Sequence, residues 1–191
     1  MAFKGHNRQG YCQITETAAA DGTVTETLGN GVITSHVVKF GGSQKRDSSD
    51  LYAGDRMEES EDGAISADVS IDISQLELKD EAALGGHTYT EENGLQIKDT
   101  DSAPFVRYAA IGVGKKQGKD FFRLVMYYRV RFSGASDDFE SKNNGVNWKT
   151  HALSGTATVN CDGKLADKKD FDTFSAAETA MKTFLNIKEV A

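Results

Sequence analysis

The segment 112–119, GVGKKQGK, comes closest to a nucleotide-binding motif in this chain. A P-loop has four residues between its glycines, then Lys and Ser or Thr, and it leads into a helix. Here Gly114 and Gly118 enclose three residues, Asp120 follows Lys119, and strand-like runs lie on both sides. The spacing therefore predicts a β-hairpin turn rather than a phosphate-binding loop.

Metal-binding and acid–base motifs are also missing from the sequence. The four histidines are scattered: His6, His36, His87 and His151. No Cys-x-x-Cys pair accompanies them, and no G-x-S-x-G elbow marks a nucleophilic serine. The acidic tract 47–63 lacks the residue order of a calcium loop, although a weak ion site there remains an alternative to a solvated loop. We therefore predict that the chain is not an enzyme and needs no cofactor or metal.

The two runs that flank the turn, within Phe105–Phe132, show the clearest pattern in the sequence. In an extended chain side chains alternate between the two faces. One face of the second run is apolar: Phe122, Leu124, Met126, Tyr128, Val130 and Phe132. The other mixes apolar and cationic residues: Phe121, Arg123, Val125, Tyr127, Arg129 and Arg131. Such a mixed face is typical of a protein interface, so we predict inter-subunit contacts by Arg123, Arg129 and Arg131.

Charge is distributed unevenly along the chain. Residues 47–101 contain sixteen acidic and three basic side chains, whereas 105–132 contain seven basic and one acidic. The two segments could neutralise each other within one fold. Alternatively, the acidic surface of one copy meets the basic surface of the next, a heterologous contact that builds rings or filaments.

Composition indicates one folded domain over residues 1–191, with 38% hydrophobic and 27% charged residues. The net charge of −7 argues against tight phosphate binding to nucleic acid. No apolar run reaches the roughly 18 residues of a membrane helix, and no signal-peptide run is visible. We therefore expect a protein made inside a cell, with no membrane partner and with Cys12 and Cys161 as reduced thiols.

Short alternating runs separated by Asp-Gly and Asn-Gly pairs predict an antiparallel β-protein, a sandwich or a partly closed barrel. The predicted strands are Gly10–Thr17, Thr23–Leu28, Val32–Phe40, Ala64–Ser74, Phe105–Val113, Phe121–Phe132 and Trp148–Cys161, with a weak hairpin at His87–Ile97. One strand has a strictly polar face: Ser66, Asp68, Ser70, Asp72 and Ser74. Either solvent exposure or an aqueous channel explains this face.

Two helices are predicted, a short one at Leu78–Leu84 and a C-terminal one at Ala176–Ile187. The pair Gly85-Gly86 suits a left-handed cap after the first helix. For the second, Ser175 and Glu178 predict a capping box. Its apolar stripe would dock on the sheet: Ala177, Ala180, Met181, Phe184 and Leu185.

Two long polar segments are predicted to be loops. The first, 41–63, contains isolated apolar residues at Leu51, Tyr52 and Met57, and it is either a flexible loop or an arm that reaches a neighbouring copy. The second, Ser133–Asn147, carries Phe139 as a comparable contact residue. Residues 1–10 are expected to form an N-terminal arm.

The order of several segments resembles the major tail proteins of long, non-contractile-tailed phages. The resemblance covers Leu51 to Phe184. It comprises LYAGD, the acidic loop, AISADVSIDIS, a short helix ending in LGG, the hairpin Pro104–Phe132, LSGTATVN and the helix FSAAETAMKTF.

The resemblance implies the phage tail-tube fold and a virion structural protein. Six copies would form a ring, and stacked rings would form a tube through which DNA passes during ejection. The partners would be other copies and the tape measure, tail terminator and distal tail proteins. The chain would reside in the host cytoplasm during assembly and then in the virion tail.

Three placements follow from this family. The polar face Ser66–Ser74 would line the lumen, segment 41–63 would contact the adjacent ring, and the arginines would contact a neighbour within the ring. The alternative function is a monomeric sugar- or surface-binding β-sandwich, for which Trp148, Tyr127 and Tyr128 would form the binding platform.

Overall fold

The computed structural model describes residues 2–34, 36–53, 56–136 and 150–188, and their side chains except at 2, 6, 7, 49–53 and 56–60. Eleven strands lie in these ranges: β1 Ala2–Ala18, β2 Val24–Leu28, β3 Val32–Thr34, β4 Val37–Ala53, β5 Arg56–Ile73, β6 Thr88–Thr90, β7 Gly94–Gln96, β8 Val106–Lys116, β9 Lys119–Phe132, β10 His151–Thr158 and β11 Ala166–Phe171. The two described helices are α1, Leu78–Gly85, and α2, Phe174–Phe184. The prediction of a mainly β protein with two helices is confirmed.

One antiparallel sheet contains nine of the described strands, in the order β2-β1-β8-β9-β10-β5-β4. Strand β3 adds to β1, and β11 adds to β9; β6 and β7 form a separate two-stranded sheet. The large sheet is not closed into a barrel, so the barrel alternative is not supported. Its β4 end lies over β8, where the rings of Phe40 and Tyr108 stack with centroids 5.7 Å apart.

Two hydrophobic cores lie on opposite faces of β8 and β9. The first core contains Tyr108, Tyr127, Ile71 and Leu153 and lies between β8–β9 and the β4–β5–β10 part of the sheet. The second core packs α2 against β8 and β9. The predicted helix stripe is confirmed, because Ala177, Met181 and Leu185 are buried and Ala180 and Phe184 pack against them. The mixed face of β9, predicted to be a protein interface, therefore contributes Tyr127 and Val125 to the first core.

A β-bulge in β9 breaks the predicted alternation. Tyr108 pairs with Tyr127, but Val106 pairs with Val130. The two paired positions are therefore two residues apart in β8 and three residues apart in β9. A bulge inserts an extra residue and reverses which side chains face each side beyond it. Consequently Tyr127 and Val130 both enter the first core. The edge of β9 also changes partner here, from β11 before the bulge to β10 after it.

Two predicted non-strand segments are strands. Residues 1–10 were expected to form an arm, yet β1 begins at Ala2 and pairs with β8 from Ala2 onward. Segment 41–63 was expected to be a loop, but it consists of the outer parts of β4 and β5, paired from Gly41↔Ser70 to Ala53↔Arg56. A polar sequence forms a hairpin here because backbone pairing does not require an apolar face.

The helix caps follow the prediction in one case and not in the other. Gly86 ends α1 in the left-handed conformation, with φ 74°, as expected. Helix α2 begins earlier than predicted, and its cap is Thr173, whose Oγ1 accepts a hydrogen bond from the Ala176 backbone N–H at 3.4 Å. The predicted Ser175–Glu178 capping box is therefore wrong, and Glu178 instead forms a salt bridge with Arg8.

Candidate functional site

The polar face predicted for β5 is present. Along this strand Ala67, Val69, Ile71 and Ile73 are buried in the first core. The alternate positions point away from that core and are exposed or half-buried: Ser66, Asp68, Ser70, Asp72 and Ser74. Neighbouring strands extend the same surface, because Ser70 pairs with Ser154 and Asp68 pairs with Thr156 of β10. We call this surface the polar face.

Charges on the polar face are mixed rather than purely acidic. The Lys45 ammonium lies 2.8 Å from Oδ1 of Asp68, and both side chains are at least half exposed. Arg131 pairs across the strands with Thr156, next to Asp68 in the same row. A shallow depression of about 880 Å³ lies along this row and is lined by Asp68, Ser70 and Arg131. Carboxylates, cations and hydroxyls therefore share one solvent-facing surface.

The outer parts of β4 and β5 project beyond the rest of the sheet. Strand β10 pairs with β5 only from Ser66 to Ile73, so residues 46–53 and 56–65 have ladder partners only in each other within the described chain. We call this two-stranded segment the ribbon. Its described side chains at Arg46–Ser48 and Glu61–Ala64 are all exposed.

Five apolar side chains that were predicted to make contacts lie outside the described part of the structure. Leu51, Tyr52 and Met57 lie in the backbone of the ribbon, but their side chains are outside the described set. Phe139 and Trp148 lie outside the described residues altogether. The inter-subunit roles predicted for these side chains remain predictions.

The three arginines of β9 do not share one face, contrary to the prediction. Arg123 precedes the bulge and lies on the side of Val125 and Tyr127. Arg131 follows the bulge and lines the polar face on the opposite side. Arg129 lies with Arg131, and both guanidinium groups pack over the ring of Phe105 at 3.5 and 4.1 Å from its centroid.

Two of the arginines bind carboxylates of the same chain. Arg123 donates from Nε and Nη2 to Asp170, at 2.6 and 2.8 Å, and this hydrogen bonding lowers the pKa of the Asp170 carboxyl. Arg129 donates to both carboxylate oxygens of Glu16. Neither carboxylate belongs to the acidic segment 47–101. Arg131 has no salt bridge within the described ranges. Its side chain is exposed, whereas those of Arg123 and Arg129 are half-buried, so it is the most accessible of the three cations.

No pattern in the sequence predicts Glu16 and Asp170 as partners of these arginines. Each becomes a neighbour of its arginine only through strand pairing between distant segments. Asp170 lies directly opposite Arg123 in the β9–β11 register. A polar run such as ADKKDF has no alternation to mark it as a strand, so β11 was not predicted.

Titratable groups do not form an identifiable catalytic site in the described part of the chain. His87 Nδ1 lies 2.9 Å from Oδ2 of Asp101, which also accepts the Lys98 backbone N–H at 2.9 Å. The Lys98 N–H first, and His87 second, lower the pKa of Asp101. Tyr11 donates its hydroxyl proton to Asp80 at 2.8 Å, and its burial raises the phenol pKa. The Tyr11–Asp80 bond connects β1 to α1, whereas the His87–Asp101 pair joins two of the segments that follow α1.

No cluster of three or more His, Cys, Asp or Glu side chains that could hold a metal ion occurs among the described residues. Neither helix of the described ranges has the length and apolar character needed to cross a membrane. No protein-family model matches this chain, and no curated protein matches it.

Proposed function

We propose that this chain is the subunit of a virion tail tube. Copies would associate into six-membered rings, and the rings would stack into a tube that conducts DNA during ejection. The partners would be other copies and the tape measure, tail terminator and distal tail proteins. The fold would be the tail-tube variant of the antiparallel sheet described above. No catalysis, cofactor or membrane is required for this role.

The ribbon is the observation that carries the proposal. A two-stranded hairpin without further packing is at best marginally stable in water. Residues 46–53 and 56–65 form a hairpin whose ladder partners lie only within it, beyond the last ladder contact with β10. At its base Ile65 packs against the first core, whereas the side chains described at Arg46–Ser48 and Glu61–Ala64 are exposed. A second copy that packs against this exposed part would supply further contacts, as an arm between rings requires.

The polar face supports the same role. Its small hydroxyl and charged side chains contact solvent and would present a hydrated wall to passing DNA. The ion pair of Asp68 and Lys45 reduces the net negative charge on this wall. DNA would therefore slide past this wall because the wall is hydrated and offers few apolar side chains to bind it, and less because the wall repels phosphate.

The sugar-binding alternative was predicted on three aromatic residues. Tyr127 is 1% exposed, and Tyr128 is half-buried and packs edge-to-face against Phe184 with ring centroids 5.3 Å apart. A carbohydrate platform requires an exposed aromatic face, which Tyr127 does not offer. Trp148 lies outside the described residues.

Electron microscopy of the purified chain tests the proposal, and we expect rings or tubes. In a variant with residues 47–64 replaced by Asn-Gly, a two-residue turn would join Arg46 to Ile65, which are paired in the native register. We expect this variant to keep its unfolding free energy within about 1 kcal/mol, because the β5–β10 ladder and the core contact of Ile65 are kept, and to form no stacked rings.

A matched control replaces the exposed turn 19–23, between the paired residues Ala18 and Val24, by the same two residues. This control should assemble normally. A native chain that stays monomeric at high concentration would contradict the proposal, as would tubes of normal length from the variant without the ribbon.

A further inference from the structure

A cleft of about 450 Å³ opens between β4 and the β8–β9 part of the sheet. Its walls include the side chains of Phe3, Phe40, Val125 and Tyr127. Ligand sites in proteins are typically concave, mostly apolar and about 300–1,000 Å³ in volume, with a few placed polar groups. The cleft has the size and apolar walls of such a site.

The hydroxyl of Tyr127 is the placed polar group. Tyr127 is 1% exposed, and its hydroxyl makes no hydrogen bond to any residue that the structure describes. Burial raises the pKa of this phenol, which keeps the hydroxyl protonated as a donor. Among the described residues, the side-chain polar atom that is fully enclosed without a hydrogen-bond partner is Nε of Arg107, not the Tyr127 oxygen. The Tyr127 hydroxyl instead borders the cleft, where a ligand acceptor would bind to it.

Gly42 makes room for this hydroxyl. A Cβ at position 42 would lie 2.3 Å from the Tyr127 oxygen, well inside van der Waals contact. The neighbouring Gly41 faces the other side of the sheet, where a Cβ would meet Ser70 instead. Only the glycine on the cleft side is therefore required for the geometry of Tyr127.

The charged groups of the cleft favour an anion. Arg123 lines it, but its charge is matched by Asp170. Lys168 also lines it, is exposed, and has no salt bridge in the described ranges. Lys39 belongs to the polar face on the other side of β4, because it pairs with Asp72 across the strands and lines the depression that holds Arg131. One unmatched ammonium group beside an apolar cavity complements a ligand with one anionic end and an apolar body.

We propose that this cleft binds a medium-chain carboxylate. The hydrocarbon chain would lie against Phe3, Phe40 and Val125. The carboxylate would accept a hydrogen bond from the Tyr127 hydroxyl and be attracted by Lys168. The inference does not depend on the tail-tube proposal, since every group involved belongs to one copy of the chain.

Isothermal titration calorimetry of the full chain with decanoate tests the site, with decanol as the neutral ligand of equal chain length. We expect saturable binding of one decanoate per chain. The variant Lys168→Gln should weaken decanoate binding about two- to fivefold and leave decanol binding unchanged. Lys169→Gln is the matched control, because Lys169 neighbours Lys168 on β11 but does not line the cleft. It should bind decanoate as the native chain does.

Tyr127→Phe separates ligand binding from folding. This change removes a hydroxyl that has no described partner, so the urea midpoint should stay the same or rise, while decanoate affinity falls about two- to tenfold. Gly42→Ala should also weaken binding, whereas Gly41→Ala should not. The proposal is wrong if decanoate does not bind at millimolar concentration, or if it binds Lys168→Gln and Tyr127→Phe as tightly as the native chain.

Discussion

Arg129 and Glu16 form a two-point ion pair within one chain, with Nε to Oε1 at 2.6 Å and Nη2 to Oε2 at 3.1 Å. The third guanidinium nitrogen donates to Oγ1 of Thr158 at 3.0 Å. The pair therefore connects β9 to β1 and β10. A residue predicted to serve only a neighbouring copy already has a structural role in its own fold.

Charge reversal of Arg129 should consequently destabilise the monomer. Arg129→Glu removes three charge-assisted hydrogen bonds and places two carboxylates together. Because the partners are 22% and 30% exposed, we expect a loss of about 1–2 kcal/mol in unfolding free energy, measured by urea denaturation. The swapped double variant Glu16→Arg/Arg129→Glu should recover part of this loss. If Arg129→Glu unfolds at the native urea concentration, the pair contributes nothing to stability.

Arg131→Glu is the better variant for testing assembly. Arg131 is exposed, and its described contact is the ring of Phe105, so we expect less than about 1 kcal/mol of destabilisation. If this arginine contacts an acidic neighbour in the tube, sedimentation should show reduced assembly of Arg131→Glu at native stability. Assembly equal to that of the native chain would remove Arg131 from the interface.

Tyr108 and Gln9 form a hydrogen bond inside the first core, where they are 2% and 1% exposed. Tyr108→Phe would leave the Gln9 carbonyl oxygen without this donor in a site closed to water. We expect a cost of about 1–3 kcal/mol in unfolding free energy. Tyr127→Phe is the control, because it removes an equally buried hydroxyl that has no described partner. Equal stability of the two variants would show that the Tyr108–Gln9 bond does not stabilise the core.

The sequence predicts strands and helices best where burial requires apolar residues at a regular spacing. Alternation identifies β5 because each inward residue enters the core, and the helical stripe identifies α2. The ribbon has no such signal beyond Ile65 at its base, since its other described side chains are exposed, as at Arg46 and Asp62. Its strands form through backbone pairing, which leaves no apolar pattern in the sequence.

The candidate surfaces were only partly predictable for a related reason. The polar face follows from alternation in β5 alone. Arg123 and Arg131 lie on opposite faces of the sheet because of the bulge between Tyr127 and Val130. No residue type at these positions predicts a bulge. The cleft around Tyr127 joins β4, β9 and β11, so only the tertiary structure brings its groups together.

Alkaline pH should destabilise the fold through its tyrosines. Burial first, and then Asp167, raise the pKa of Tyr128 to about 12, and burial raises the pKa of Tyr108 well above 10. Between pH 10 and 12 the unfolded chain therefore loses phenolic protons that the folded chain retains. Because the unfolded state then binds fewer protons, unfolding free energy falls as pH rises.

Urea denaturation at pH 9, 10 and 11 measures this effect, and absorbance at 295 nm reports tyrosinate formation directly. We expect the native chain at pH 11 to show less tyrosinate than the chain in denaturing urea. The variant Tyr128→Phe should have a shallower decline of stability with pH. Identical tyrosinate spectra for folded and unfolded chain would contradict the raised pKa values.

The two cysteines should differ in reactivity as free thiols. Cys12 is fully buried, and its Sγ donates to the Gly29 carbonyl at 3.2 Å, whereas Cys161 is exposed. At pH 8 we expect a thiol reagent such as DTNB to modify one cysteine in the native chain and the second only after unfolding. Desolvation first, and then Glu26, raise the pKa of Cys161, so its reaction should be slower than that of free cysteine, because the thiolate is the reactive form.

The variant Cys161→Ser identifies the reactive group, since it should leave the native chain without a rapidly modified thiol. Rapid modification of both cysteines under native conditions would instead mean that the β1–β2 hairpin opens readily and exposes Cys12. Such opening would separate Cys12 from Gly29 and would be expected to weaken the packing of α2, because Cys12 belongs to the second core. The number of cysteines modified under native conditions therefore also reports how often the second core opens to solvent.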